Sequence, residues 1–194
     1  MRWTRVVAAL LILWAAYFVW PYFALYSLAN AVRTRDAAAI NRRIDFPRLR
    51  RSLTEQVTRI YLKSTGREAR LGQFREVAIA ASSSIADPII ARLISADTLI
   101  ELLGSGWPTE VLPEKIPEMK GLRSGSIGNA WQIFVNSDHG IRTFSLAIPA
   151  DVSAPFQFVL HFRLSAWKWR LYDIELPEQL AVRLTQELIR KDKK

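Results

Sequence analysis

"AAYFVWPYFALYSLANAVRTRD", residues 15–36, passes from an oily, aromatic run into a soluble-looking helix with no turn signal between them. The fold depends on whether that run is a discarded leader, a lasting anchor or the first piece of a core. Residues 6–20 carry no charge. As a helix they span about 22 Å, short of a hydrocarbon layer of about 30 Å. Continuing through residue 29 adds only Ser27, Tyr22 and Tyr26 as polar groups, and the extended run is long enough to cross. Trp20, Tyr22, Phe23 and Tyr26 then fall at the far interface, where amphipathic rings settle. Pro21 marks a kink or the exit from lipid. A cleaved leader needs a small-x-small site. Ala29-Asn30-Ala31 has that form, but the bulky aromatics before it do not suit a cleavage region. All-round hydrophobicity does not suit a core helix in so small a domain. The reading is an anchor over residues 1–30, followed by one domain over residues 31–194.

Charge narrows the partners. The chain holds 27 basic and 18 acidic residues, an excess of +9. Residues 33–76 account for 12 basic against 5 acidic, while residues 77–172 hold 8 of each. Such a block suits an anionic surface. With no cysteine there is no disulfide frame, thiol nucleophile or thiolate metal site. Arg2 and Arg5 favour a cytoplasmic N-terminus, whereas Arg33, Arg35, Arg42 and Arg43 pull the other way. The arrangement expected is N-terminus in, domain out.

The first half of the domain reads helical. Asp36 can cap "AAAINRR". In "IDFPRLRRSLTEQVTRIYLKSTG", Asp45 is a candidate cap and Pro47 sits in the first turn. Leu49, Leu53, Val57, Ile60 and Tyr61 form its apolar stripe, and Gly66 is its stop. "FREVAIAASSSIADPIIARLI" reads as a buried helix broken at Asp87-Pro88. "SADTLIELLGSG" has a cap at Ser95 and a glycine stop. Residues 105–120 read as a loop pinned by Trp107. From about Leu122 the apolar period falls to two. "AWQIFVN", "IRTFSLAIP", "FQFVLHFRLS" and "AWKWRLYDIEL" are the expected strands, with "SDHG" as a turn and a bulge near Tyr172-Asp173. "PEQLAVRLTQELIRK" closes the chain as an amphipathic helix. Helices first and short-linked strands after them give an α+β class: helices packed on an antiparallel meander of about four strands.

Signals for chemistry are sparse. His139, in "NSDHG", reads as a turn residue, since a sequence-adjacent Asp138–His139 pair lacks triad geometry. His161, on the polar side of the strongest strand, could join Arg163 and Tyr172 as the polar set of a ligand site. Trp131, Phe158, Trp167, Trp169 and Tyr172 would line a cavity between sheet and helices, or simply pack the core. Two histidines without cysteine do not make a zinc site. "GLRSGSIG" has neither dinucleotide nor P-loop spacing. No cofactor is expected. The anionic-surface candidates are Arg42, Arg43, Arg48, Arg51, Arg59 and Lys63. Nucleic acid is not expected, because no aromatics interleave with these arginines and the domain would have to face the cytoplasm.

The stretch "YFALYSLANAVRTRDAAAINRRIDFPRLRRSLTEQV" resembles the start of an uncharacterised bacterial family, domain-of-unknown-function family 2939. The shared features are a hydrophobic start, an Ala-Leu helix, a "D-A-A-A" turn and a "V/I-D-F-P-x-L-R-x-S-L" helix, and "SADTLIELL" is similar to its middle segment. The "RDAAAI" opening and "WKWRLYDIEL" are similar to nuclear-transport-factor-2-like cone folds. Neither resemblance implies catalytic residues. The expectation is a single-pass protein of a bacterial inner membrane with a periplasmic domain. Its role would be a non-enzymatic binding or envelope-structural module facing the lipid bilayer, anionic headgroups or an acidic envelope protein. The alternative is a small-ligand carrier or enzyme.

Overall fold

The computed structural model describes residues 2–64, 90, 94–109, 112, 121, 130–149, 153 and 156–192. The expected break at Asp87-Pro88 and the stop at Gly66 lie outside them, as do residues 122–128 of "GLRSGSIG". Helix α1, Arg2–Arg33, runs unbroken through Pro21, and its two halves live differently. Residues 3–20 are exposed on every side apart from half-buried Tyr17. From Pro21 onward one face is buried, and Leu25, Leu28, Ala31 and Val32 enter the domain core. The expectation had carried the membrane run on to residue 29. The structure instead gives residues 21–33 to the core, because the i, i+3, i+4, i+7 spacing of 25, 28, 29 and 32 forms one apolar stripe.

Helix α2, Ala37–Arg43, folds back along α1. Asp36 caps it, its carboxylate accepting from Ala39 N at 2.8 Å. Arg43 ties the two helices, its Nε donating to Ser27 Oγ at 2.6 Å. Helix α3, Phe46–Ser64, then buries Leu49, Leu53, Val57 and Leu62. Ile60 is only half-buried. Helix α4, Ala96–Ser105, has the expected Ser95 cap, and it ends at left-handed Gly106. Trp107 pins the following loop: it is fully buried, and its Nε1 donates to the Leu112 carbonyl at 2.7 Å. Gly121 presses on the end of α4, where a Cβ would come within 2.5 Å of Gly106 N.

The sheet is antiparallel, in the order β1-β2-β3-β4, from Ser137–His139, Thr143–Ile148, Phe158–Ser165 and Lys168–Glu175. Phe144, Leu146 and Ile148 on β2 and Phe158, Leu160 and Phe162 on β3 all face the core, as period-two reading requires. The bulge is where it was expected. His161 pairs Asp173 and Phe162 pairs Leu171, leaving Tyr172 as the extra residue of β4. Helix α6, Glu178–Asp192, closes the chain with Leu180 and Leu184 buried.

Three expectations are corrected. "AWQIFVN" is not a strand but helix α5, Ala130–Val135, with Ile133 buried and Phe134 and Val135 exposed. So short an apolar run fits either period. "SDHG" is not a turn: residues 137–139 are β1, pairing Ser137 with Leu146 and His139 with Phe144. The turn is 140–142, closed by Gly140 N donating to the Thr143 carbonyl at 2.8 Å. Trp167, within the expected strand "AWKWRLYDIEL", lies outside β4. It sits with Ala166 in the β3–β4 turn, both at positive φ, and is 80% exposed.

The edge of β4 is covered rather than bare. Asp45 N donates to the Leu171 carbonyl at 2.8 Å. Gln56 Nε2 donates to the Ile174 carbonyl at 2.9 Å, and its Oε1 accepts from Leu176 N at 3.2 Å. Ser52 donates to the Asp173 carboxylate. Helix α3 therefore advances along β4 from Leu171 toward Leu176 and blunts an edge that could otherwise pair with another chain.

The two-part reading of α1 has a mutational signature. Leu28→Ala should cost about 2–5 kcal/mol by opening a core cavity. Leu10→Ala, in the exposed half, should leave the unfolding midpoint of the detergent-solubilised protein unchanged.

Candidate functional site

The feature that brings most side-chain chemistry together is the seam where α1 lies against β1. Tyr22 Oη and Ser137 Oγ are 3.0 Å apart. The His139 ring sits among Phe144, Tyr22, Phe18 and Phe134, with centroid distances of 5.0, 5.4, 5.7 and 6.3 Å. Further toward the N-terminus of α1, Trp14, Tyr17 and Phe18 face Gly140, Ile141 and Trp169 across a cavity of about 280 Å³. Helix and strand therefore run antiparallel, Tyr22 beside Ser137 and Trp14 beside Ile141. The seam carries one polar anomaly. His139 Nε2 is buried and has no hydrogen-bond partner among the described residues.

The seam is lined mainly by aromatic and apolar side chains. Successive strand residues point to opposite faces; Asp138 is exposed while His139 turns toward the aromatic cluster. They form no acid–base pair. Among the described residues no group of three His, Cys, Asp or Glu side chains could hold a metal.

The polar set expected from sequence lies elsewhere, on the sheet face opposite the core. His161 and Tyr172 do meet, with rings 6.2 Å apart. His161 Nε2 is 2.9 Å from Glu175 Oε1, a partner not foreseen. Arg163 is exposed two residues further along β3, opposite Arg170. Of the supposed cavity lining, Phe158 is buried in the core, Trp169 is buried and lines the seam cavity, and Trp167 projects into solvent. Tyr172 is on the outer face, and the side chain of Trp131 is outside the described set.

The six basic candidates are spread along the first helices. Arg42, Arg43 and Arg48 cluster at the α2–α3 corner, where Arg43 is held by Ser27 and Arg48 pairs with Asp45 at 3.5 Å. Arg51, Arg59 and Lys63 are exposed along α3. Its course along β4 carries Arg59 about 20 Å beyond the corner.

The seam was missed from sequence, although a signal was present: Trp14, Phe18 and Tyr22 recur at i, i+4 and i+8, one helical face. That stripe was absorbed into the general oiliness of the run. Residues 10–102, a little under half the chain, match the model of a family described as "Protein of unknown function (DUF2939)". This agrees with the likeness carried by "IDFPRLRRSL", and the match stops before the sheet begins. No curated protein and no solved structure matches the chain. The likeness to cone folds thus stands on the sequence segments alone.

The aromatic cage around His139 makes a prediction. His139→Phe removes an unpaired buried nitrogen and should raise unfolding free energy by about 1 kcal/mol, the low end of the cost of such an atom. Thermal unfolding of the detergent-solubilised protein measures it. A loss of stability would instead assign Nε2 a bond.

Proposed function

From a family match that names no activity, we propose that this protein is a single-pass, membrane-anchored module that holds a non-enzymatic binding or structural domain at a bilayer surface. One observation carries the reading. Helix α1 is long and apolar enough to cross a membrane, its residues 3–20 are exposed, and its residues 21–33 are built into the domain core. Eighteen residues of helix reach about 27 Å, close to a hydrocarbon layer of about 30 Å. An exposed apolar rod of that length has a large unfavourable free energy in water and none in lipid. Trp20, Phe23 and Tyr26, all exposed, fall where the rod leaves the hydrocarbon and suit an aromatic belt.

Arg2 and Arg5, with no acidic neighbour, favour a cytoplasmic N-terminus and a domain on the far side, the periplasm of a bacterium. Attraction to anionic headgroups falls to the corner formed by Arg42, Arg43 and Arg48. Arg43 is bound to Ser27, about 10 Å along α1 from Trp20. Each basic residue close to such a surface contributes about 1 kcal/mol, fading beyond a Debye length of about 8 Å. Arg59 and Lys63 lie too far along α3 to share in it.

The full chain should stay with membranes through an alkaline carbonate wash, and a version lacking residues 2–20 should be released as a folded domain. Recovery of the intact chain in the soluble fraction would overturn the anchor. With the shortened version, stronger binding to anionic than to neutral vesicles is expected; equal binding would remove the electrostatic part.

A further inference from the structure

Two hairpins end on the same side of the sheet. Thr143 pairs Arg163, and Arg163 pairs Arg170. This sets the β1–β2 turn, residues 140–142, beside the β3–β4 turn at Ala166 and Trp167. The Leu164 N–H donates to the Arg142 carbonyl at 2.9 Å and locks the two turns together. Each tip exposes a large apolar side chain, Ile141 at 85% and Trp167 at 80%. Large apolar groups so bare at the ends of tight turns have no packing role in the domain. Phe134 and Val135 of α5 add exposed apolar surface near His139.

Position says what covers them. Ile141 lines one cavity with Trp14, Tyr17, Phe18 and Pro21 of α1, and His139, two residues before it, packs on Phe18 and Tyr22, so the antiparallel run carries the tip up to about 9 Å nearer the N-terminus than Trp20. If residues 3–20 are in the bilayer, this end of the sheet cannot be in bulk water. A depth of about 5–10 Å is where interfacial segments bury their apolar faces at the headgroup–acyl boundary. The charges agree. Residues 138–142 and 163–170 carry Arg142, Arg163, Lys168 and Arg170 against Asp138 alone. Long basic stems can lie along the acyl boundary with their heads among phosphates, and an exposed Trp is the residue such a boundary favours.

We infer that the paired hairpin tips, Ile141 and Trp167, insert into the bilayer interface beside the anchor and give the domain a second membrane contact that fixes its orientation. The partner is the anionic bilayer that α1 crosses. This inference rests on the anchor reading, and its test keeps the two apart.

The chain has no cysteine, so single cysteines carrying an environment-sensitive fluorophore report one site each. The full chain is reconstituted into anionic vesicles containing spin-labelled lipid, with the label at Leu10→Cys, Ile141→Cys, Trp167→Cys or Lys63→Cys in turn. The two tip positions are exposed, so substitution there leaves the core intact. Emission from positions 141 and 167 should shift to the blue and be quenched, strongest when the spin label sits near the acyl boundary. Position 10 should be quenched by the deepest label and position 63 by neither. Quenching at 10 with none at 141 and 167 overturns the inference and leaves the anchor standing. Quenching at none of the four overturns both.

Discussion

One continuous helix imposes the main constraint on this protein. A helix is stiff because each residue is tied to the fourth before it, so the two halves of α1 cannot reorient independently. Leu25, Leu28, Ala31 and Val32 fix the C-terminal half in the core, and the N-terminal half must follow its axis. Wherever residues 3–20 go, the domain goes at a set angle. A flexible linker at residue 30 would have left that angle free.

The rest of the fold follows from what must pack on that half-helix. Helix α2 returns along it, held through Arg43 and Ser27, and α3 departs along β4. Its Gln56 and Ser52, together with the Asp45 N–H before it, supply the partners that the β4 edge would otherwise lack. Backbone groups at an open edge invite pairing with other chains. The Tyr172 bulge sits opposite this contact and lets β4 keep Leu171 and Ile174 both inward despite the odd spacing.

Much of the architecture was legible in local patterns. Caps at Asp36 and Ser95, the glycine stop at 106, the alternation in β2 and β3 and the bulge in β4 each rest on a rule that operates within a few residues. The errors came where local rules are degenerate. "AWQIFV" satisfies a two-residue period and a short helix equally, and the tertiary structure makes it a helix with Ile133 buried and Phe134 and Val135 exposed. Asn, Ser, Asp and Gly favour turns, yet residues 137–139 are drawn into the sheet by pairing with Leu146, Ser145 and Phe144. Local preference there lost to a long-range partner.

By itself the sequence determined the class, the helix-then-meander order, the faces that must be buried and the presence of an apolar helix too oily for water. Those properties depend on composition and on spacing along the chain, which a linear string contains in full. Only the tertiary structure decided that one half of this helix lies exposed while the other half is built into the core. It also decided that α3 runs along the β4 edge, and that two hairpin tips end together. Each of these depends on which distant segments lie side by side, and that is set by the summed packing of the whole core rather than by any residue's own neighbours.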